Sequence, residues 1–139
     1  MDSIKRRSDC PVNLSLEVFG DKWTLLVLRD IIFFGHRHFR DFVQLESIST
    51  NILTERLKRL VDNGILKKEI DKDNQSSYIY SITQRGLDLV PIVIDMYHWG
   101  AIHVEGNNAD VNYLKRVTGE RNKVIKEITQ KLKKEHHVK

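Results

Sequence analysis

The chain contains a single cysteine, and its position is the first feature of the sequence that could support chemistry. Cys10 follows the basic run at 5–7 and directly precedes Pro11. Proline is tolerated in the first turn of a helix, so the pattern predicts a helix beginning at Pro11 with Cys10 at its N-cap. The positive end of a helix dipole and nearby cations lower the pKa of a thiol, whereas Asp9 opposes them. Cys10 is therefore a candidate redox-sensing thiol, and the alternative is an inert thiol retained for packing.

The other residues that could do chemistry form no catalytic or metal-binding pattern. His36 and His38 are two residues apart and His98 and His103 are five apart, spacings that suit no single helix face. The stretch DKDNQ at 71–75 begins like a calcium loop but lacks the glycine and the glutamate that such a loop needs. No GxSxG, P-loop or HExxH pattern occurs, and one cysteine excludes an internal disulfide and a CxxC zinc knuckle. We therefore expect no enzyme, no metal and no cofactor.

Composition is that of a water-soluble globular protein. The 139 residues are 30% charged and 40% hydrophobic, enough for one domain with one core. The apolar runs are too short to span a membrane, and the N-terminus has no apolar signal core, so we expect a cytoplasmic protein. The net charge of +4 permits a polyanionic partner without requiring one.

The elements that would position Cys10 and the basic residues can be inferred from periodicity and capping residues. Short helices are predicted after Cys10, after Asp21 and around 36–45, and a better-defined one after Ser49. The strand-like segments ILKKEI and SYIYSIT, separated by a polar turn, predict a β-hairpin. A long helix capped by Thr83 follows, then one or two amphipathic helices whose last residues, 131–139, we expect to fray.

The helix after Ser49 is the best candidate for a binding surface. Leucines and a valine at 53–61 form one apolar stripe, and the opposite side is polar and ends in basic residues. A helix fits the major groove of DNA, and its N-terminus favours phosphate. The alternative for this polar side is an ordinary solvated face. The predicted DNA contacts are Ser49, Thr50, Asn51, Thr54, Arg56 and Lys58 on the helix, Arg37 and Arg40 before it, and Lys72 in the hairpin turn.

Two of these predicted contacts have a specific alternative. Arg56 sits near the flank of its helix, where it could bond to the preceding helix instead of DNA. Lys72 is the one basic residue of the hairpin turn and lies between Asp71 and Asp73, so a strong grip on phosphate is not expected there.

The long helix after Thr83 predicts a dimer interface. Its apolar residues repeat every three and four positions, as in the seam of a coiled coil, and other apolar residues load its remaining faces. One small core cannot bury every face, so we expect a second subunit. The predicted interface residues are Leu87, Val90, Ile94, Tyr97, Ala101 and Val104.

The order of these elements and several motifs resemble the HxlR-type (DUF24) winged-helix transcriptional regulators, relatives of the MarR group. The motifs are CPV at 10–12, GDKWTLLVLRD at 20–30, HRHFRDF at 36–42, ISTNILTERLKRLVDNGIL at 48–66, YSITQRG at 80–86 and WG at 99–100. The resemblance implies a homodimer on a palindromic operator. It also implies that an N-terminal cysteine before PV senses oxidants or electrophiles in several members.

The sequence thus predicts a mainly α fold with a small β-hairpin, a winged helix-turn-helix with long C-terminal dimerisation helices. The predicted divisions are a DNA-binding domain with its dimerisation helix at 1–106 and a helical extension at 107–139. The predicted partners are double-stranded DNA, a second copy of the chain and a small oxidant, electrophile or ligand, with no membrane. Cys10 would act through a bridge to its twin, a mixed disulfide or alkylation. A ligand-responsive regulator with inert Cys10, and a winged-helix module that binds protein and not DNA, stay open.

Overall fold

The structure, a computed structural model, describes residues 6–43 and 46–139. Within these ranges the chain is mainly helical, with one antiparallel two-stranded hairpin. The elements in chain order are α1 Pro11–Phe19, α2 Lys22–Phe34, α3 Phe39–Phe42, α4 Thr50–Asp62, β1 Leu66–Ile70, β2 Tyr78–Ile82, α5 Gln84–Leu87, α6 Val90–His103, α7 Val111–Gly119 and α8 Arg121–Glu135. The predicted fold class is confirmed. No helix in the described ranges is long and apolar enough to cross a membrane, and Lys5, the first residue of the basic run before Cys10, lies outside them.

The chain divides into two compact units. The first ends at Ser81 and the second runs from Ile82 to Lys139. In the second unit α6 packs against α7 and α8. The predicted boundary at 106/107, between a DNA-binding domain and a helical extension, stays a prediction.

The first unit is built around the contact between α2 and α4. Val27, Leu28 and Ile31 of α2 are buried, and so are the α4 leucines at 53, 57 and 60. The apolar stripe predicted for α4 therefore forms the core side of that helix. Because the core fixes this side inward, the polar side of α4 must face outward.

The turn between α1 and α2 accepts only glycine at position 20. A Cβ there would lie 2.5 Å from the carbonyl oxygen of Leu16, which is backbone and cannot move aside. Asp21 then caps α2 by accepting a hydrogen bond from the Thr24 N–H at 3.1 Å, as predicted. Gly35 ends α2 in the left-handed conformation at φ 69°.

The second unit is a small helical cluster. Pro91 lies in the first turn of α6, so the proline marks a restart after α5 and not a kink. Tyr97 of α6 meets Tyr113 of α7 edge to face, with ring centroids 5.4 Å apart. Val117 of α7 and Val124 of α8 are buried in the same unit.

Of the six residues predicted as a dimer interface, Leu87, Val90 and Ile94 are buried inside the chain, whereas Tyr97 and Ala101 are half-buried and Val104 is exposed. Leu87, Val90 and Ile94 are 2%, 0% and 0% exposed within a single chain, so a partner cannot reach them. The reason is that α7 and α8 cover this side of α6. Each residue of an α-helix is turned 100° from the one before it, and this rotation places three exposed apolar side chains on the opposite side of α6. They are Ile92, Met96 and Trp99.

Candidate nucleic-acid interface

The outward side of α4 presents short polar groups at the start of the helix and a cation further along. The Ser49 hydroxyl accepts from the Ile52 N–H at 3.2 Å, so Ser49 is the predicted N-cap. Thr50, Asn51, Thr54 and Lys58 are all exposed. This arrangement places side chains that can bond base edges beside helix N–H groups that attract phosphate.

These exposed groups differ in their intramolecular bonds. The Thr54 hydroxyl donates to the Thr50 carbonyl oxygen at 2.7 Å, and the Lys58 ammonium pairs with Asp62 at 2.7 Å. The hydrogen bond to Asp62 raises the pKa of Lys58 above its usual value, so the side chain stays charged. Among the described residues, Asn51 has no side-chain hydrogen bond within the chain, so its whole amide is available for a base edge.

Arg56 is used inside the protein. Its Nε donates to Asp21 at 2.9 Å, and its guanidinium also pairs with Glu55. Arg59 reaches the same Asp21 carboxylate at 3.3 Å. Of the two alternatives for Arg56, the structure shows an internal bond, made to the N-cap of α2 and not to α3, the helix directly before α4. Arg56 therefore positions α4 against the N-cap of α2, and we do not propose it as a DNA contact.

Asp21 couples the cap of α2 to α4, which gives a testable pH dependence. Hydrogen bonds from Thr24 and Arg56 outweigh partial burial and lower the pKa of Asp21 to about 2. A carboxylate whose folded pKa is depressed adds stability above its unfolded pKa of about 4, and that stability disappears as the pH falls through about 2. Asp21→Asn keeps a good N-cap but loses the charge, so we expect a loss of about 1 kcal/mol at neutral pH after allowing for solvent screening.

Urea denaturation at neutral pH and near pH 2 would measure this loss. The two proteins should differ at neutral pH and converge in acid. Asp9→Asn, at an exposed carboxylate that pairs with Arg6 at 3.4 Å, is the matched control and should change little. Equal stability of wild type and Asp21→Asn at neutral pH would contradict the coupling.

Arg37 also has an internal role. Its Nε donates to the Tyr80 carbonyl oxygen at 3.1 Å, and its guanidinium donates to the Ser81 hydroxyl. The Tyr80 N–H in turn donates to the Arg37 carbonyl oxygen at 2.8 Å. These bonds attach the segment before α3 to β2. The predicted phosphate contact at Arg37 is therefore not carried forward, whereas Arg40 is exposed.

A cleft of about 650 Å³ lies between the start of α3, the outer side of α4 and the hairpin. Among its described lining residues none is acidic, and the cations Arg40, Lys58 and Lys68 lie on its walls. The Lys68 ammonium sits 4.1 Å from the ring centroid of Tyr78, a cation–π contact across the two strands. The cleft therefore gathers positive charge from three separate elements.

Lys68 and Tyr78 were missed from the sequence. A signal for this contact was present in the strands LKKEI and YIYSI, whose alternate side chains point to the same face. Side chains on one face of an antiparallel pair contact their diagonal neighbours. The Asp71 N–H bonds to the Ser77 carbonyl oxygen at 3.0 Å, a register that makes Lys68 and Tyr78 diagonal neighbours. What sequence could not tell is which face of the hairpin turns toward α4.

A contact between the His38 ring and the Asp71 carboxylate attaches the hairpin turn to the segment before α3. His38 Nε2 lies 2.9 Å from the Asp71 carboxylate, and this contact lowers the pKa of Asp71. Lys72 is exposed at the turn. The contact fixes the first residue of the turn to the N-cap of α3. Lys72 stays a predicted phosphate contact. Unlike Lys68, it does not line the cleft.

Cys10 is exposed at the N-cap of α1, where the sequence placed it. Its side chain makes no full capping hydrogen bond. The backbone N–H groups of Asn13 and Val12 nevertheless lower the pKa of the thiol below its usual value. Asp9, which could oppose this effect, is paired with Arg6. Cys10 is thus accessible and biased toward the thiolate, the form that reacts with oxidants.

The family can now be stated. The sequence profile of the HxlR-like helix-turn-helix proteins matches residues 18–108. The chain belongs to this family. It is similar to the uncharacterised HTH-type transcriptional regulator sll1512 of Synechocystis sp. (31% identity over 112 residues, 80% of each chain). It is also similar to the HTH-type transcriptional regulator YdeP of Bacillus subtilis (33% identity, 66% of this chain and 71% of the relative).

The solved structures agree with this membership of the HxlR-like family. The redox regulator HypR in its oxidised form superimposes with a TM-score of 0.60 at 33% identity, covering 73% of this chain and 100% of HypR. The predicted resemblance is confirmed, and the protein is a transcriptional regulator with a helix-turn-helix DNA-binding fold. α7 and α8 lie beyond the matched residues.

Proposed function

We propose that this HxlR-like regulator acts in the cytoplasm as a homodimer that binds a palindromic operator, with α4 of each subunit in the major groove. The observation that carries the proposal is the outward polar side of α4, from Ser49 to Lys58, beside a cationic cleft. In this arrangement Asn51 contacts base edges and specifies sequence. Arg40, Lys58 and Lys68 contact phosphates and fix the register.

The exposed side of α6 supports the homodimer. Ile92, Met96 and Trp99 are 40%, 50% and 62% exposed and follow one another along one side of the helix. An apolar stripe of this kind is unfavourable in water and suits an interface. Two copies related by a two-fold axis would present the same stripe to each other, and the same axis would relate the two operator half-sites.

Cys10 would make operator binding responsive to oxidants. HypR, which is similar in sequence and fold, is described as a redox regulator. With diamide as the oxidant, the Cys10 thiolate adds to its N=N bond, and a second thiolate then attacks that sulfur. A disulfide forms, two electrons pass to diamide, and the hydrazine product leaves with two protons. The second thiolate belongs to Cys10 of the other subunit or to a small thiol.

Two substitutions in α4 test this docking against a protein–protein module. Asn51→Ala should cost about 1–3 kcal/mol on the operator and less on other duplexes, because a base contact is lost. Lys58→Ala should weaken binding to all duplexes similarly and reduce the slope of log K against log salt by about 0.9 per subunit. Fluorescence anisotropy with the duplex flanking the gene and with a mixed-sequence duplex measures both effects.

The matched control is Lys67→Ala, in an exposed lysine of β1 that does not line the cleft. It should leave the salt slope almost unchanged. If Lys58→Ala behaves like this control, the proposed docking of α4 is wrong. If the wild-type protein binds no duplex at any salt concentration, the protein–protein alternative replaces the proposal.

A further inference from the structure

Positive charge is concentrated at the C-terminal end of the chain. Residues 121–139 contain seven Lys and Arg against two Glu, a net charge of +5. Because the whole chain has 23 basic and 19 acidic residues, residues 1–120 hold 16 basic and 17 acidic ones, a net charge of −1. The part that contains the winged helix therefore carries no net positive charge, and its attraction for a polyanion depends on local groups such as the cations of the cleft. The +4 of the chain comes from α8 and the residues after it.

Helix α8 is held in place, which corrects the expectation that 131–139 fray. At its start, Arg121 forms a two-pronged salt bridge with Asp95 of α6 at 2.7 and 2.8 Å. Leu132 is 2% exposed, and the buried His136 accepts a hydrogen bond from the Ile82 N–H through Nδ1 at 2.9 Å. These contacts fix both ends of α8 within the second unit, so its outer side is ordered in advance of binding.

The outer side of α8 is a row of lysines. Lys123, Lys126, Lys131 and Lys134 are exposed and extend over roughly 16 Å of the helix axis. Duplex DNA carries one negative charge per about 1.7 Å of its axis, so a row of this length can face several phosphates. The two glutamates of this helix neutralise the row weakly. Glu127 pairs with Arg116 of α7 at 2.8 Å, and Glu135 makes a long contact of 4.0 Å with Lys131.

We infer that this lysine row of α8 is a second contact surface for duplex DNA, which binds phosphates of any sequence and supplies most of the salt-dependent affinity. The inference deepens the proposed function, on which it rests for the identity of the polyanion. In this arrangement α4 would determine the sequence specificity, and α8 would add affinity that does not depend on sequence.

Helix stability alone does not account for the row. Cations in the last turn interact favourably with the helix dipole, and that explains Lys133 and Lys134. Lys123 lies in the first turn, where the dipole disfavours a cation, and its one acidic neighbour among the described ion pairs is Glu120 at 4.0 Å. An ordinary solvated face also remains a physical alternative, and it predicts no effect of these lysines on DNA binding.

The test replaces the four lysines by glutamine in the full-length protein. Glutamine has a helix propensity close to that of lysine, so α8 should stay folded, and circular dichroism would check this. We expect the slope of log K against log salt to fall by as much as about 3.6 per subunit. Affinity for the operator and for a mixed-sequence duplex should fall by the same factor, at least about tenfold. The matched control replaces the same lysines by arginine and should retain wild-type binding.

Three outcomes would overturn the inference. They are an unchanged salt slope in the folded glutamine variant, a loss confined to the operator, and binding to phosphatidylserine vesicles that depends on the lysines while duplex binding does not. Failure of the proposed function looks different. In that case wild type binds a mixed-sequence duplex through the lysine row, and Asn51→Ala and Lys58→Ala change nothing.

Discussion

Trp99→Asp is expected to convert the proposed homodimer into monomers and to weaken binding to the proposed operator at least about 100-fold. Trp99 is 62% exposed in one chain, and its ring lies tilted against that of His103 with centroids 4.9 Å apart, a contact that restrains the exposed side chain. A tryptophan at the centre of an interface contributes about 2 kcal/mol or more, and two-fold symmetry applies the substitution twice. An aspartate there would also bury an unpaired charge.

Sedimentation equilibrium would measure the dissociation constant of the dimer, and anisotropy the affinity for the operator. Because Trp99 is exposed in the single chain, its replacement should leave the free energy of unfolding of the monomer nearly unchanged. Val111→Asp is the matched control, since Val111 of α7 is 65% exposed but lies off the exposed side of α6. A dimer that survives Trp99→Asp but dissociates on Val111→Asp would move the interface to α7.

Cys10→Ser is expected to abolish the response of operator binding to diamide. Serine is a good N-cap, so α1 should begin at the same place and basal affinity should be retained. In the wild-type protein, diamide should change operator affinity at least about tenfold. The lowered pKa of the thiol adds a pH signature: the rate of alkylation by iodoacetamide should reach half its maximum at a lower pH than the same reaction of a free cysteine.

Non-reducing electrophoresis separates the routes by which Cys10 can be oxidised. A covalent dimer that forms with diamide and is absent from Cys10→Ser would show a bridge between the two Cys10 residues. A mass increase equal to one small thiol would show a mixed disulfide. If the oxidant response persists in Cys10→Ser, Cys10 is inert and the ligand-responsive alternative holds.

Much of the first unit could be predicted because local signals and the core agree there. The α4 stripe, the caps at Asp21 and Ser49, and the hairpin each follow from side chains acting on their own neighbours. The same logic placed Cys10 at the start of α1. These features need no knowledge of which elements meet at long range.

What could not be predicted from the sequence are the long-range contacts. The apolar repeat in α6 was correct as a buried side, but periodicity cannot say whether another subunit or the chain's own α7 and α8 covers it. Similarly, Arg37 and Arg56 carry the charge expected of a phosphate contact, and their partners lie 44 and 35 residues away in the sequence. Charge type alone therefore does not show which basic side chains already have partners inside the protein.

Hydroxyl-radical footprinting on the DNA that flanks the gene tests the central claim most directly. A dimer with α4 of each subunit in successive major grooves should protect two half-sites of inverted sequence, centred about 10–10.5 base pairs or a multiple of that apart. Asn51→Ala should lose this pattern at concentrations where wild type gives it. A single protected site without symmetry, or protection that Asn51→Ala leaves intact, would contradict the account.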